Sequence, residues 1–131
     1  MVALSNLLQP GTLWCMVLVD TAPLLAQMRR GTLQYCVLAV LRDRERYAFE
    51  IVQELAKVDG MVTSEGTIYP LLSRLRRDGL LDSNWQESAS GPPRRYYGLS
   101  LAGQAALDNF ITQWTAFRGA VDHFINPEGS R

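Results

Sequence analysis

Residues 66–81, GTIYPLLSRLRRDGLL, place Ile68, Leu71, Leu72 and Leu75 at the three- and four-residue spacing that makes one apolar face of a helix. Ser64, just upstream, has the side chain of a good N-cap, and Gly79 supplies the left-handed residue on which helices end. Pro70 sits early, where proline costs least, and predicts a slight kink or a start nearer Thr67. With the apolar stripe turned inward, Thr67, Tyr69, Ser73, Arg74, Arg76 and Arg77 are left toward solvent. Three arginines on the outer side of one short helix call for a reason.

The chain as a whole offers none, because its 131 residues carry 13 Lys and Arg against 13 Asp and Glu. There is no bulk attraction to nucleic acid or to a membrane, so any anion-binding role must come from local placement. That placement is uneven: residues 1–27 hold one charged side chain, Asp20, whereas five arginines stand against three acids from Arg74 to Arg95. The length suits one domain with a modest core. The apolar start lacks the basic region of a signal peptide, and Pro10, Gly11, Asp20 and Pro23 break it below spanning length, so no membrane insertion is expected. Cys15 and Cys36 lie in apolar runs without histidines at ligand spacing, which excludes a zinc site built on them. They read as buried free thiols in a reducing, cytoplasmic setting, with a bridge between the two left open.

Working outward, GTLQYCVLAVL at 31–41 is apolar almost all round and predicts a core helix. RDRER at 42–46 reads as a turn, and Ala48, Ile51, Val52 and Leu55 then form the face of a second helix that stops near Gly60. After the third helix, LLDSNWQE and RRYYGLS flank SASGPP, which predicts two strands joined by a floppy turn longer than two residues. Ser100 caps a last helix to Asn126, on which Leu107, Phe110, Trp114, Phe117, Val121 and Phe124 alternate at three- and four-residue intervals. The fold expected is mostly α with a small β-ribbon: a winged helix-turn-helix over 28–99, a long dimerisation helix over 100–126 and a tail at 127–131. Residues 1–27 form an apolar extension, read either as an extra helix or as the product of an upstream start with Met28 the functional initiator. GTLWCMVLV within it echoes GTLQYCVLAV, but one partial match is no repeat.

In a winged helix-turn-helix the third helix lies in the DNA major groove, so its outer face supplies phosphate and base contacts. Arginine suits both, since its planar fork meets phosphate oxygens or the guanine O6/N7 edge at two points. Ser64 at the helix N-terminus, Ser73, Arg74 and Arg77 on its outer face, and Arg94 and Arg95 on the ribbon are the DNA-facing candidates. A charge run usually marks only a solvated face; the ribbon and the cap are what tip this one toward DNA.

The stretches GTLQYCVLAVL, RYAFEIVQEL, SEGTIYPLLSRLRRDGLL and RRYYGLSLAGQAAL, followed by a tryptophan, resemble the PadR family of transcriptional regulators, in its branch with a single terminal helix. The resemblance covers about residues 28–126. It implies a homodimeric winged-helix repressor on a palindromic operator, with Tyr47, Thr67, Tyr69, Pro70, Arg94 and Arg95 at the family's DNA-facing positions. It also implies a dimer made by the last helix, through Leu107, Phe110, Ile111, Trp114, Phe117, Val121 and Phe124. Some members bind planar aromatic effectors near this tryptophan, which makes Tyr35, Phe110, Trp114 and Phe117 candidates for such a slot. Ala48 and Phe49 depart from the family's usual Gly-Tyr, Ser100 from its threonine, and Arg76, Arg77 and Asp78 stand where acids are common.

Two contrasting functions fit the residues less well. An enzyme lacks its parts, because His123 is the sole histidine, sits on the last helix, and assembles neither a triad nor a metal site. No cofactor is implied. A winged helix that meets a protein instead of DNA is the other reading, and the basic third helix and ribbon disfavour it.

Overall fold

The computed structural model describes residues 21–126 and 128, so the expectations for residues 1–20 and Cys15 lie outside the described residues. These residues fall into two units divided after Thr32. The first holds helix α1, Thr21–Arg30, which runs through Met28, and whose last turn places Arg29 and Arg30 against the negative end of the helix dipole. Thr32 closes it by donating its hydroxyl to the Met28 carbonyl at 3.1 Å.

The second unit runs α2 (Leu33–Val40), β1 (Arg46–Tyr47), α3 (Ala48–Ala56), α4 (Glu65–Arg77), β2 (Leu81–Ser88), β3 (Gly91–Leu99) and α5 (Leu101–Ile125). Its core gathers Val37, Leu38, Ile51, Ile68, Leu72, Leu75 and Leu81, each at most 2 % exposed. Helices α2, α3 and α4 contribute the faces that their apolar spacing marks out, and α5 adds Leu107. The three strands form an antiparallel sheet in the order β1-β3-β2. This is the winged helix-turn-helix architecture with a long terminal helix.

Strand β1 corrects the reading of 42–46 as a plain turn. Arg46 pairs with Tyr97 and Tyr47 with Tyr96, which turns the ribbon into a three-stranded sheet. Arg46 is buried, an unusual state for arginine, and it is satisfied there. Its Nε donates to the Val40 carbonyl at 3.0 Å, its Nη2 reaches the Asp43 carboxylate at 3.3 Å and its Nη1 lies 3.8 Å from Glu54. A hydrogen bond from Lys57, together with the charges of Lys57 and Arg46, holds the Glu54 carboxyl below its ordinary range.

The ribbon turn also differs from expectation. Strand pairing persists to Ser88 and Gly91, leaving a loop of only Ala89 and Ser90. Pro92 and Pro93 stay within β3 because the register slips between Gln86 and Ser88. The slip places an extra residue on β3, and a bulge tolerates residues without an N–H.

The end of α4 is fastened to the start of α5. Gly79 has φ +82°, its N–H donates to the Arg76 carbonyl at 3.0 Å, and the N–H of Leu80 donates to the Leu75 carbonyl at 2.9 Å, the paired bonds of a Schellman cap. Ser100 then works in two directions: its hydroxyl accepts from the Gly103 N–H at 3.0 Å and donates to the Gly79 carbonyl at 2.7 Å. Gly103 is buried, and a Cβ on it would fall inside the van der Waals shell of the Leu80 carbonyl oxygen. Gly103→Ala should therefore cost about 2 kcal/mol or more by overpacking against backbone, whereas Gly119→Ala, with open space around it in the same helix, should be neutral or stabilise by up to about 1 kcal/mol. Urea denaturation of the two variants measures both.

Candidate nucleic-acid interface

Helix α4 starts at the expected N-cap, but the capping differs in detail. The carbonyl of Ser64 accepts from the N–H groups of Thr67 and Ile68 at 3.1 and 3.0 Å, while its hydroxyl makes no bond to the helix backbone and instead approaches the Thr67 hydroxyl at 3.5 Å. Pro70 lies inside the helix, which begins at Glu65. Having no N–H, it leaves the Gly66 carbonyl without its usual donor. Gly66 and Pro70 are both exposed, so that acceptor opens to solvent or to a bound molecule.

At 100° per residue, Gly66, Pro70, Ser73 and Arg77 line up opposite Ile68, Leu72 and Leu75. The first group is exposed and the second buried, so α4 is pinned from behind and open in front. Thr67 and Arg74 flank the open face on one side, and Tyr69 and Arg76 flank it on the other; all four are exposed. Partial burial and then the neighbouring Glu65 carboxylate push the Tyr69 hydroxyl above its ordinary range, which keeps it a hydrogen-bond donor. Arg74 is tethered: its Nη2 donates to the side-chain oxygen of Gln34 on α2 at 3.0 Å. Arg77 stands at the centre of the open face.

Arg94 and Arg95 do not act together, because successive strand residues project to opposite faces. The Arg94 guanidinium lies 4.5 Å over the Tyr47 ring, whose edge meets Tyr96 at 5.3 Å. On that same face Glu45 accepts from the side-chain amides of Asn84 at 3.1 Å and Gln86 at 2.9 Å, tying β2 to the loop before β1. Arg95 is on the other face, 5.0 Å over the ring of Trp85, with its Nη1 donating to the Ser83 hydroxyl at 3.3 Å. Thus Tyr47 and Arg94 form one cluster, and Ser64, Thr67, Tyr69, Pro70, Ser73, Arg74 and Arg77 form the α4 surface.

The terminal helix requires corrections. Leu107, expected at a subunit contact, is 2 % exposed inside the core of its own chain and has no area left to offer. Phe110 stacks on Tyr35 of α2, with ring centres 4.2 Å apart and planes 5° from parallel. A planar guest cannot enter between those two rings as they stand. The seam expected along one face is therefore divided. Its first third docks α5 onto the domain, and Ile111, Trp114, Phe117, Val121 and Phe124 remain exposed beyond it. Trp114 continues the stack, 6.0 Å from Phe110. His123 sits exposed against Phe124, and among the described residues no group of three His, Cys, Asp or Glu could hold a metal. Cys36 is free and half-buried, and that burial raises its thiol pKa. No described helix is long and apolar enough to cross a membrane.

Sequence reasoning missed Arg46 and Trp85. A buried arginine in a charged turn carries no periodic signal; Trp85 could have been flagged by its alternation with Leu81 and Ser83.

Such a fold, with a cationic helix face beside an arginine-bearing ribbon, defines a winged-helix protein of the nucleic-acid-reading class. The profile of the family described as "Transcriptional regulator PadR-like family" matches residues 37–109, over half of the chain. The chain belongs to that family, one of transcriptional regulators. It is 38 % identical over 81 residues to the transcriptional regulator Rv3488 of Mycobacterium tuberculosis, which spans 62 % of this chain and 74 % of that protein. The crystal structure of a PadR family transcriptional regulator from Eggerthella lenta superposes with a TM-score of 0.76 at 33 % identity, covering 85 % of this chain and 97 % of that one. The PadR of Bacillus subtilis, solved in complex with operator DNA, shares the fold at 22 % identity and a TM-score of 0.58, over 63 % of this chain and 48 % of that one.

Because Arg46 ties α2, β1 and α3 together, it also holds Tyr47 and its arginine partner in place. Arg46→Ala leaves the Val40 carbonyl and the Asp43 carboxylate without their donor and Glu54 with Lys57 still beside it, and should destabilise the fold by about 2 kcal/mol, read as a lower midpoint in chemical denaturation.

Proposed function

We propose that the chain is a sequence-specific DNA-binding regulator that acts as a homodimer on a palindromic operator, represses by occupying it, and is released by a planar aromatic effector. The observation that carries the reading is the open face of α4: Gly66, Pro70, Ser73 and Arg77 exposed in line, against a fully buried apolar seam. A face so pinned enters a major groove without repacking, and Arg77 and Arg74 offer donors to phosphate or guanine. Tyr47, with Arg94 seated on it, reaches a neighbouring phosphate from the start of α3. Local cations suffice on a neutral chain, because each phosphate neutralised releases counterions.

Dimerisation is supported by the exposed run on α5. A helix of 25 residues spans about 37 Å, and its outer portion leaves Trp114, Phe117 and Phe124 in water, a patch that a second copy would cover. Two-fold symmetry then presents two copies of α4 to half-sites about 34 to 36 Å apart. An operator overlapping a promoter is thereby closed to polymerase. The effector has its best seat beside the outer face of Trp114 at the covered seam, since Tyr35 and Phe110 already occupy one another.

With duplex DNA from upstream of the chain's own gene, affinity should fall roughly a hundredfold or more between about 50 and 200 mM salt. Arg74→Ala, Arg77→Ala and Arg94→Ala should each weaken binding by about tenfold with unchanged melting temperature. Binding insensitive to salt, or unaltered in all three variants, would contradict the assignment. Trimming Ile111, Trp114 and Phe117 together to alanine should yield folded monomers by sedimentation; a variant that stays dimeric moves the interface elsewhere.

A further inference from the structure

We propose that Trp85 and Arg95 form a clamp on the wing that grips the sugar–phosphate backbone of the duplex flanking the bases met by α4; this rests on the DNA-binding reading above. The cross-strand pairs Leu81–Leu99, Ser83–Tyr97 and Trp85–Arg95 share one face of the sheet. Leu81 and Tyr97 are buried in the core on that face, and α4 packs against β2. Trp85 and Arg95 are thus the outward continuation of the face that carries the reading helix. Arg94 lies on the opposite face with Tyr47, so the two adjacent arginines have separate seats and separate contacts.

The pair is prepared for an anion with apolar surface. Trp85 is 63 % exposed in the interior of a strand, and the Arg95 guanidinium lies over its ring. The Ser83 hydroxyl accepts from Nη1 of Arg95 at 3.3 Å, which anchors the guanidinium beside the ring and uses one of its five N–H donors. A purely apolar partner would bury that charge without an acceptor, and a free anion would leave the indole in water. A duplex backbone meets both demands: phosphate oxygens accept from Arg95, and the apolar side of a deoxyribose packs on the Trp85 ring.

The test is a series of duplexes from upstream of the chain's own gene, trimmed stepwise from both ends toward the centre of the protected region, bound by the full chain. Wild type should lose about tenfold in affinity when the flanking base pairs are removed, the order expected for one aromatic and charge contact. Trp85→Ala should bind the long duplex as weakly as wild type binds the trimmed one, show no further loss on trimming, and melt at the wild-type temperature. Trp85→Phe should recover part of the loss. The clamp is overturned if Trp85→Ala matches wild type on the long duplex, if it loses equally on long and trimmed duplexes, or if it alters oligomeric state instead. If wild type binds none of these duplexes, the DNA-binding reading itself fails, and the clamp falls with it.

Discussion

The packing of Ile68, Leu71, Leu72 and Leu75 in the core, where α4 meets α3 and β2, is the constraint from which the remainder follows. It fixes the rotation of α4 about its own axis, and with it which residues face outward. A helix rotated by one residue would bury Arg76 or Tyr69 and expose a leucine, at the desolvation cost of a buried charge. The open face of α4 is therefore defined by what the opposite face cannot give up.

Around that seam, small polar devices set position. The Schellman cap at Gly79 stops α4, Ser100 clips the stop to the start of α5, and Gly103 lets the two backbones meet. Any tilt of α5 is thus felt at the C-terminal end of α4. On the other side, Arg46 joins α2, β1 and α3 in one buried knot, and its neighbour Tyr47 provides the seat for Arg94. Arg94 and Arg95 rest on aromatic rings and Arg74 on the Gln34 amide, which lowers the entropy these three lose when they meet a partner.

Much of this was legible in the sequence, and what was not has physical reasons. The helical faces, the Gly79 stop and the Ser100 cap follow from spacing and side-chain chemistry, and all appear where the residues indicate. Strand β1 was invisible because two residues cannot show a period. The ribbon turn was misjudged because Pro92 and Pro93 read as loop, whereas a bulge keeps them in the strand. The heptad on α5 is regular from Leu107 to Phe124, yet only its first part packs on its own chain. Periodicity locates an apolar face but not what covers it, so Leu107 and Phe110 could not be told from Trp114 and Phe117 until α2 was in place. The pairing of Arg94 with Arg95 as one site overlooked the two-residue repeat of a strand.

The central claim, that the front of α4 is the surface that enters the groove, is tested most directly by site-directed photocrosslinking. A benzoylphenylalanine placed at position 73, on the open face of α4, should crosslink to the protected duplex at bases within one half-site, and the same probe at position 112 on α5 should not. Crosslinks from position 112 and none from position 73 would contradict the account.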